Sequence, residues 1–345
     1  MGKLRAAIIG CGHIFPMHAV SIAHQDNVEL VAVCDTKEAM AQSAATEYHC
    51  HAYSDYRQMI AQERLDTIHI CTPHYLHAEM AQYALSHNLD VLTEKPMAIQ
   101  LQDAYAMCAC AENSGRQLMV SFQNRFNPAA ELFRQTLQSG ALGKILSARV
   151  LVTWNRSDQY YGKSDWKGTW DKEGGGVVID QAIHTLDLMN YLVDSPIEQV
   201  DATWHNRCHD IIQVDDAAEG LIVYANGVKA CFFAVNYYAY DAPVELELFC
   251  ERGIAKLVGE KGTITFNDGR LLQADRNPLE FFEFGTVKQY WGVGHMKEIN
   301  HFYQSLEHRT PMRNSAAQTL ETQRLVCAIY ESGRTGKPVV LPQSH

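Results

Sequence analysis

The first 125 residues alternate short apolar, β-branched segments with amphipathic stretches, and this rhythm constrains the fold more than any other feature of the chain. Leu4–Ile9, Glu29–Cys34, Thr67–Cys71, Asp90–Thr93 and Gln117–Phe122 read as strands. Between them, His13–His24, Lys37–Tyr48, Tyr56–Ala61, Leu76–His87 and Leu101–Ser114 read as helices. Repeated βα units build a parallel sheet, because a right-handed crossover is nearly the only connection that lays each helix back on the strands. The N-terminal part is therefore expected to be α/β, a doubly wound parallel sheet.

After about residue 125 the rhythm changes. One more helix, Pro128–Ser139, is followed by long alternating runs at Ile145–Trp154, Val200–Trp204, Glu219–Tyr224, Val228–Tyr237, Val244–Cys250 and Ile254–Val258. Strands joined with so few helices between them predict a C-terminal α+β domain around a large, mostly antiparallel open sheet. A helix near Gln181–Leu192 is expected to cover one face, and Lys297–His308 and Ala316–Ser332 read as late helices. A length of 345 residues exceeds what one hydrophobic core usually supports, so two domains are expected, 1–125 and 126–345.

Composition narrows the class. Apolar residues make up 47% and charged residues 20% of the chain, the profile of a soluble globular protein. No apolar run is long enough to span a membrane, and Met1–Arg5 leads straight into a strand, so a cytoplasmic protein with no membrane partner is expected. A net charge of -11 disfavours nucleic acid, which demands a basic stripe. The ten cysteines are irregularly spaced, several within apolar runs, which fits reduced thiols. Only Cys108 and Cys110 are close neighbours, and they face different ways on a helix; no metal site is expected.

Gly10-Cys11-Gly12-His13-Ile14-Phe15 joins the first strand to the first helix. In that context Gly10 allows the tight turn and Gly12 lets a pyrophosphate approach the backbone, with the helix amides of the His13-Ile14 turn facing it. Asp35 ends the second strand where an acidic side chain accepts hydrogen bonds from the adenosine ribose, which predicts NAD; Lys37 nearby keeps NADP possible. Thr72, Pro73 and His74 lie at the carboxyl end of another strand, where open α/β sheets bind ligands, and His77 follows in the same turn.

Thr93-Glu94-Lys95-Pro96 ends a further strand. Together with Gly10-Cys11-Gly12, Cys71-Thr72-Pro73-His74, Gly174-Gly175-Gly176…Asp180…His184 and the closing Gly336-Lys337-Pro338-Val339, it resembles the Gfo/Idh/MocA oxidoreductases, named for glucose–fructose oxidoreductase and inositol dehydrogenase. The resemblance spans nearly the whole chain. It implies an N-terminal Rossmann domain, a second domain whose open sheet binds substrate and often forms a homodimer or homotetramer interface, and oxidation or reduction of a carbinol in a sugar, polyol or related ring. It also implies Lys95 as the active-site lysine and Asp180 and His184 as its partners. Phe15 and Gln181-Ala182 depart from the usual pattern.

Oxidising an alcohol requires a base for the hydroxyl proton and a group that stabilises developing alkoxide charge. Asp180 and His184, four apart, would share one helix face, where a carboxylate orients an imidazole. His184 is the candidate base and Lys95 the candidate oxyanion partner, although either can carry the proton. Glu94, Lys95 and Gln123 are further candidates for the cofactor. Aromatic faces beside polar groups suit sugars, which places Arg156, Tyr160, Trp166 and Trp170, along with Arg125, among the candidate substrate contacts; interior packing is the alternative for the tryptophans. The function predicted is an NAD(P)-dependent oxidoreductase acting on CH-OH groups of a carbohydrate. A reductase of a keto-sugar or dicarbonyl, and a non-catalytic dinucleotide sensor, are the alternatives.

Overall fold

The computed structural model describes residues 2–277, 280 and 292–342. The chain divides into two compact units, Met1–Gln123 with Leu279–Leu320, and Asn124–Pro278 with Glu321–His345. The first crossing lies next to the expected boundary, but a later segment returns to the first unit.

The first unit is built on six parallel strands: β1 (Leu4–Ile9), β2 (Val28–Cys34), β3 (His51–Tyr53), β4 (Thr67–Ile70), β5 (Asp90–Thr93) and β6 (Leu118–Val120), in the order β3-β2-β1-β4-β5-β6. Its crossovers carry α1 (Phe15–Ala23), α2 (Glu38–Tyr48), α3 (Tyr56–Gln62), α4 (His77–Ser86) and α5 (Leu101–Ser114). All four residues of β4 are buried, as a strand covered on both faces must be. The order reverses between β1 and β4, so the turns after those strands flank the crevice in which such sheets bind ligands. Edge strand β3 is three residues long, too short for an alternating pattern to register in the sequence.

The second unit opens with α6 (Pro128–Gln138), β7 (Ile145–Thr153) and the short α7 (Asp158–Gly162). A π turn over Val177–Ala182 then runs into α8 (Ile183–Val193). There follow β8 (Ile197–His205), β9 (Ala217–Tyr224), β10 (Lys229–Val235), β11 (Glu245–Cys250), β12 (Gly253–Val258), β13 (Lys261–Phe266) and β14 (Leu271–Ala274). After α9 (Gly292–His308) and α10 (Ala316–Thr335), β15 (Val339–Val340) closes the sheet edge beside β8. The nine strands run β14-β13-β12-β11-β7-β10-β9-β8-β15, antiparallel throughout except for β7 beside β10. Strands β13, β14 and β15 add to those expected. Gly262 of β13 lets α6 lie close, since a Cβ there would stand 2.6 Å from that of Ala129. On β7 and β10, Ala148, Val150, Val152, Ala230, Phe232 and Ala234 are buried while Arg149, Leu151, Lys229, Cys231 and Phe233 reach the open face. That face carries an ion ladder, Arg149 to Glu247 at 2.9 Å and Lys256 to Glu247 at 2.8 Å.

Helix α9 falls in the unit to which sequence order did not assign it. Ile299, Phe302 and Tyr303 enter the same apolar cluster as Ile8, Ala19, Ile22, Leu92 and Met119, with Leu306 packed against it. An apolar stripe at helical spacing needs a core to cover, and the first unit supplies it.

Arg125 was expected to touch substrate. Its guanidinium instead forms a two-pronged pair with Asp187 of α8, Nε to Oδ2 at 2.7 Å and Nη2 to Oδ1 at 2.6 Å, both side chains buried. Thr322 of α10 donates to the same carboxylate at 2.8 Å, and the Tyr191 ring lies 4.8 Å beneath the guanidinium. Arg125 thus ties the unit's first helical segment to α8 and α10. Arg125→Met leaves a buried carboxylate uncompensated and is expected to cost about 3–5 kcal/mol, measured by urea unfolding, with part recovered when Asp187→Leu is added.

Candidate active site

In the first unit, Gly10 adopts a φ of +97°, and a Cβ there would meet the Cys71 carbonyl oxygen at 2.6 Å. Only glycine permits the turn after β1 to press so closely on the end of β4. At Gly12 a Cβ would meet nothing within 4 Å, so the space beside it is open to a ligand. Phe15, the departure from the fingerprint, is buried and packs edge-on to Tyr48 at 5.6 Å, filling the helix–sheet gap that a small residue closes by contact. No side chain caps α1, which leaves the helix start suited to phosphate. The Asp35 carboxylate accepts the Cys11 amide at 2.9 Å and the Lys37 amide at 2.8 Å, so it holds the glycine turn. His13 is exposed and Ile14 half-buried beside this turn.

Thr72 and Pro73 are half-buried at the end of β4, and His74 is buried 5.9 Å from the His77 ring. Both ring nitrogens of His77 lie 2.8 Å from main-chain carbonyls, those of Pro96 and Thr72. That ring was expected at the cofactor; it is spent strapping the turn after β4 to the turn after β5. Gln123 is buried, and its Oε1 has no hydrogen-bond partner among the described residues. An orphaned acceptor of this kind, with the open Gly12 and the uncapped α1, fits a dinucleotide whose amide groups donate hydrogen bonds.

Beneath Lys95 runs a chain of buried polar groups that sequence reasoning did not single out. Glu94 Oε1 lies 3.0 Å from His18 Nε2; His18 Nδ1 lies 2.9 Å from His69 Nδ1; His69 Nε2 lies 2.8 Å from the Tyr303 hydroxyl, which Thr67 approaches at 3.3 Å. Burial lowers the pKa of both histidines, so both are neutral, and one assignment of protons satisfies every link. Thr67 donates to Tyr303, Tyr303 to His69, His69 to His18, and His18 to Glu94. Burial alone would raise the Glu94 pKa, but hydrogen bonds from His18 and His295 hold it well below the usual carboxylate range. The other Glu94 oxygen accepts the Lys95 amide at 3.2 Å. The only trace of this chain in the sequence is a histidine within each of two apolar segments, at His18 and His69.

In the second unit, the glycine run wraps around a buried carboxylate. Asp215 accepts the amides of Gly176 at 2.6 Å and Val178 at 3.0 Å, and the Tyr330 hydroxyl accepts the Ile179 amide at 3.2 Å. A Cβ on Gly175 would overlap the Tyr330 hydroxyl, and one on Gly176 the Asp215 carbonyl, so both glycines are sterically required. Burial pushes the Asp215 carboxyl up to about 6 against the pull of those amides. This wrapping produces the π turn, a form that recurs at functional sites. Asp180 lies in it and His184 follows in the first turn of α8, so the regular helical face expected for the pair is replaced by a wider turn.

Asp180 Oδ2 accepts the Tyr160 hydroxyl at 2.8 Å, Lys167 Nζ at 2.7 Å and Gln181 Nε2 at 2.6 Å. Lys167 also reaches toward the fully buried Glu173, 3.7 Å away, whose carboxyl burial and then the charge of Asp180 push up to about 8. Arg156 pairs with Asp241 at 2.8 Å and stacks on Trp154 and Tyr160. Trp170 donates to the Gln213 carbonyl and packs with Trp204 and Tyr330, which is the interior alternative; Trp166 lies half-buried against Lys167. Lys167, Glu173 and Asp215 were missed as partners, since nothing in their spacing marks them.

Comparison with known proteins agrees with this arrangement. Residues 4–122 match the model of an oxidoreductase family with an NAD-binding Rossmann fold, and residues 131–256 match the GFO/IDH/MocA C-terminal domain. D-glucoside 3-dehydrogenase of Escherichia coli is 28% identical, the match covering 98% of this chain and 97% of that protein. D-apiose dehydrogenase of Paraburkholderia graminis is 25% identical over 98% of this chain and 90% of that protein. The WlbA dehydrogenase of Bordetella pertussis, solved with NADH and UDP-GlcNAcA, superposes with a TM-score of 0.85 at 26% identity, covering 99% of this chain and 100% of that one. With its glycine turn, its Glu94-Lys95-Pro96 strand end and its wrapped glycine run, the chain belongs to the GFO/IDH/MocA family of NAD-binding oxidoreductases that act on CH-OH groups.

Proposed function

We propose that this enzyme oxidises a ring or chain hydroxyl of a sugar, polyol or related carbohydrate. The observation that carries the reading is Asp180, a carboxylate held by three donors in the turn just before His184. Mere dinucleotide binding requires no such group in the second unit. The relatives named for glucosides and apiose act on substrates of this class, and the aromatic loop bearing Arg156, Tyr160 and Trp166 offers flat faces beside hydrogen-bonding groups, which suits sugars.

NAD, when bound, supplies the hydride acceptor. In the second unit His184 takes the hydroxyl proton, with Asp180 as the fixed carboxylate that orients it; in the first unit Lys95 is the active-site lysine, an ammonium suited to stabilising developing alkoxide charge. Arg125 and His77 support the framework rather than the ligands. All ten cysteines are free thiols, in keeping with a cytoplasmic location. The open sheet face exposes Leu221, Phe233, Ile254 and Val258, which favours a homodimer or homotetramer; light scattering on the purified protein is expected to give a mass at least twice that of the chain.

A panel of sugars, polyols and anhydrosugars with NAD or NADP, followed by nicotinamide absorbance, tests the reading. Oxidation with NAD is expected. Firm NAD binding without turnover of any member would instead favour a sensor, and turnover only of keto-sugars with NADPH would favour a reductase. His184→Ala is expected to lower kcat by about 10²–10⁴-fold while leaving the NAD dissociation constant unchanged. Asp35→Ser is expected to weaken NAD binding in a fluorescence titration and to narrow the preference over NADP.

A further inference from the structure

Lys167 stands in the loop between α7 and the glycine run, its side chain 16% exposed and its ammonium 4.7 Å from the Tyr160 ring and 4.8 Å from the Trp166 ring. We propose that Lys167 is a positioning residue for Asp180: its ammonium, with the Tyr160 hydroxyl as second arm and buried Glu173 as counterweight, fixes the direction and charge of that carboxylate. This rests on the acid/base reading of Asp180 given above.

The contacts have one consistent direction. Lys167 Nζ donates to the Tyr160 oxygen at 2.6 Å and to Asp180 Oδ2 at 2.7 Å, and Tyr160 donates its own proton to the same Oδ2 at 2.8 Å. With Gln181 Nε2 as third donor at 2.6 Å, Oδ2 is saturated, so any further hydrogen bond that Asp180 accepts is made through Oδ1. A carboxylate locked by one oxygen presents the other in a set direction, which is what a group that orients an imidazole or a substrate hydroxyl requires.

The charges around the cluster explain why a cation is needed. Asp180 in its π turn and Glu173 in the loop both face the ammonium; Asp215, before β9, and the Tyr161 and Tyr330 hydroxyls line the same surroundings, and Arg156 lies on the Tyr160 ring at 5.3 Å but is engaged by Asp241. Two buried carboxylates share one ammonium, so one of them retains a proton, and the Glu173 carboxyl, pushed up to about 8, is that one. Remove the ammonium and Asp180 competes for a proton as well. A buried ion pair is weak evidence for stability as such, whereas a pair that fixes which of two acids is charged has a chemical use.

The test uses Lys167→Gln, Lys167→Arg and Tyr160→Phe in the full-length enzyme with NAD and a carbohydrate that the wild type oxidises. Lys167→Gln is expected to lower kcat/KM about 100-fold at pH 7, to leave NAD affinity unchanged, and to move the acid limb of the pH profile upward by about one unit as Asp180 becomes easier to protonate. Lys167→Arg is expected to restore most of the activity, and Tyr160→Phe to lose a few-fold. A Lys167→Gln enzyme with the wild-type pH profile, or one whose loss Arg does not recover, overturns the proposal. If the wild type turns over no carbohydrate, the proposed function fails, and the Lys167 link is then read from urea unfolding midpoints between pH 4 and 8. A raised Asp180 pKa in the folded Lys167→Gln protein means that its stability falls as pH rises from the unfolded carboxylate pKa to the raised one. Glu173, Asp215 and Glu298, whose carboxyls burial raises, give the wild type a falling slope of its own, so the readout is the extra slope that Lys167→Gln adds to it. Asp180→Asn in the same background is expected to remove that extra slope, and its persistence would refute the coupling.

Discussion

A carboxylate taken out of water must be met by donors, and both units of this protein are arranged around meeting that demand. Glu94 is answered by His18 and His295, Asp187 by Arg125, Asp215 by main-chain amides of the glycine run, and Asp180 by Lys167, Tyr160 and Gln181. Glu298 of α9 is answered by the Ser121 hydroxyl and the Phe122 amide at the end of β6, and burial still pushes its carboxyl up to about 7. Each solution draws together segments far apart in sequence. These anions set where α9 meets the first sheet, how the glycine run bends, and which side chains surround Asp180.

The solutions differ in kind, and so do their consequences. Asp187 meets a guanidinium fork, whose matched geometry makes a rigid joint between helical segments. Asp215 meets backbone amides and the Tyr330 hydroxyl, and the turn it shapes depends on glycine at positions 175 and 176. Asp180 alone in this set is held by an ammonium shared with a second acid, and it is the one proposed to act in the chemistry.

Much of the fold was legible because periodicity is a local signal. The parallel sheet followed from alternating segments, and α5 was placed at its observed limits, Leu101–Ser114. Strands β3 and β15, of three and two residues, lacked the length for any pattern to show, and α9 carried an amphipathic stripe without saying which core it would cover. The site was legible only in part. Gly10, Gly12 and Asp35 announce themselves because their roles are tied to one turn, whereas His77 and Arg125 resembled ligand contacts until their partners, Thr72, Pro96 and Asp187, came together in three dimensions. Lys167 could not be paired with Asp180 from sequence, since thirteen residues of loop and turn separate them and no helical or strand period links the two.

The row from Thr67 to Glu94 has a sense, like a sentence that reads one way. Imidazole and hydroxyl groups each tolerate either direction, so four of its five members are indifferent to which neighbour gives and which receives. Glu94 is not, because an ionised carboxylate only receives, and that single constraint orders every proton behind it. An amide in its place would read equally well from both ends, and the two readings would coexist as a mixture of tautomers under Lys95. The negative charge at the end of β5 therefore acts as punctuation, giving the buried row one meaning and the turn above it one electrostatic environment.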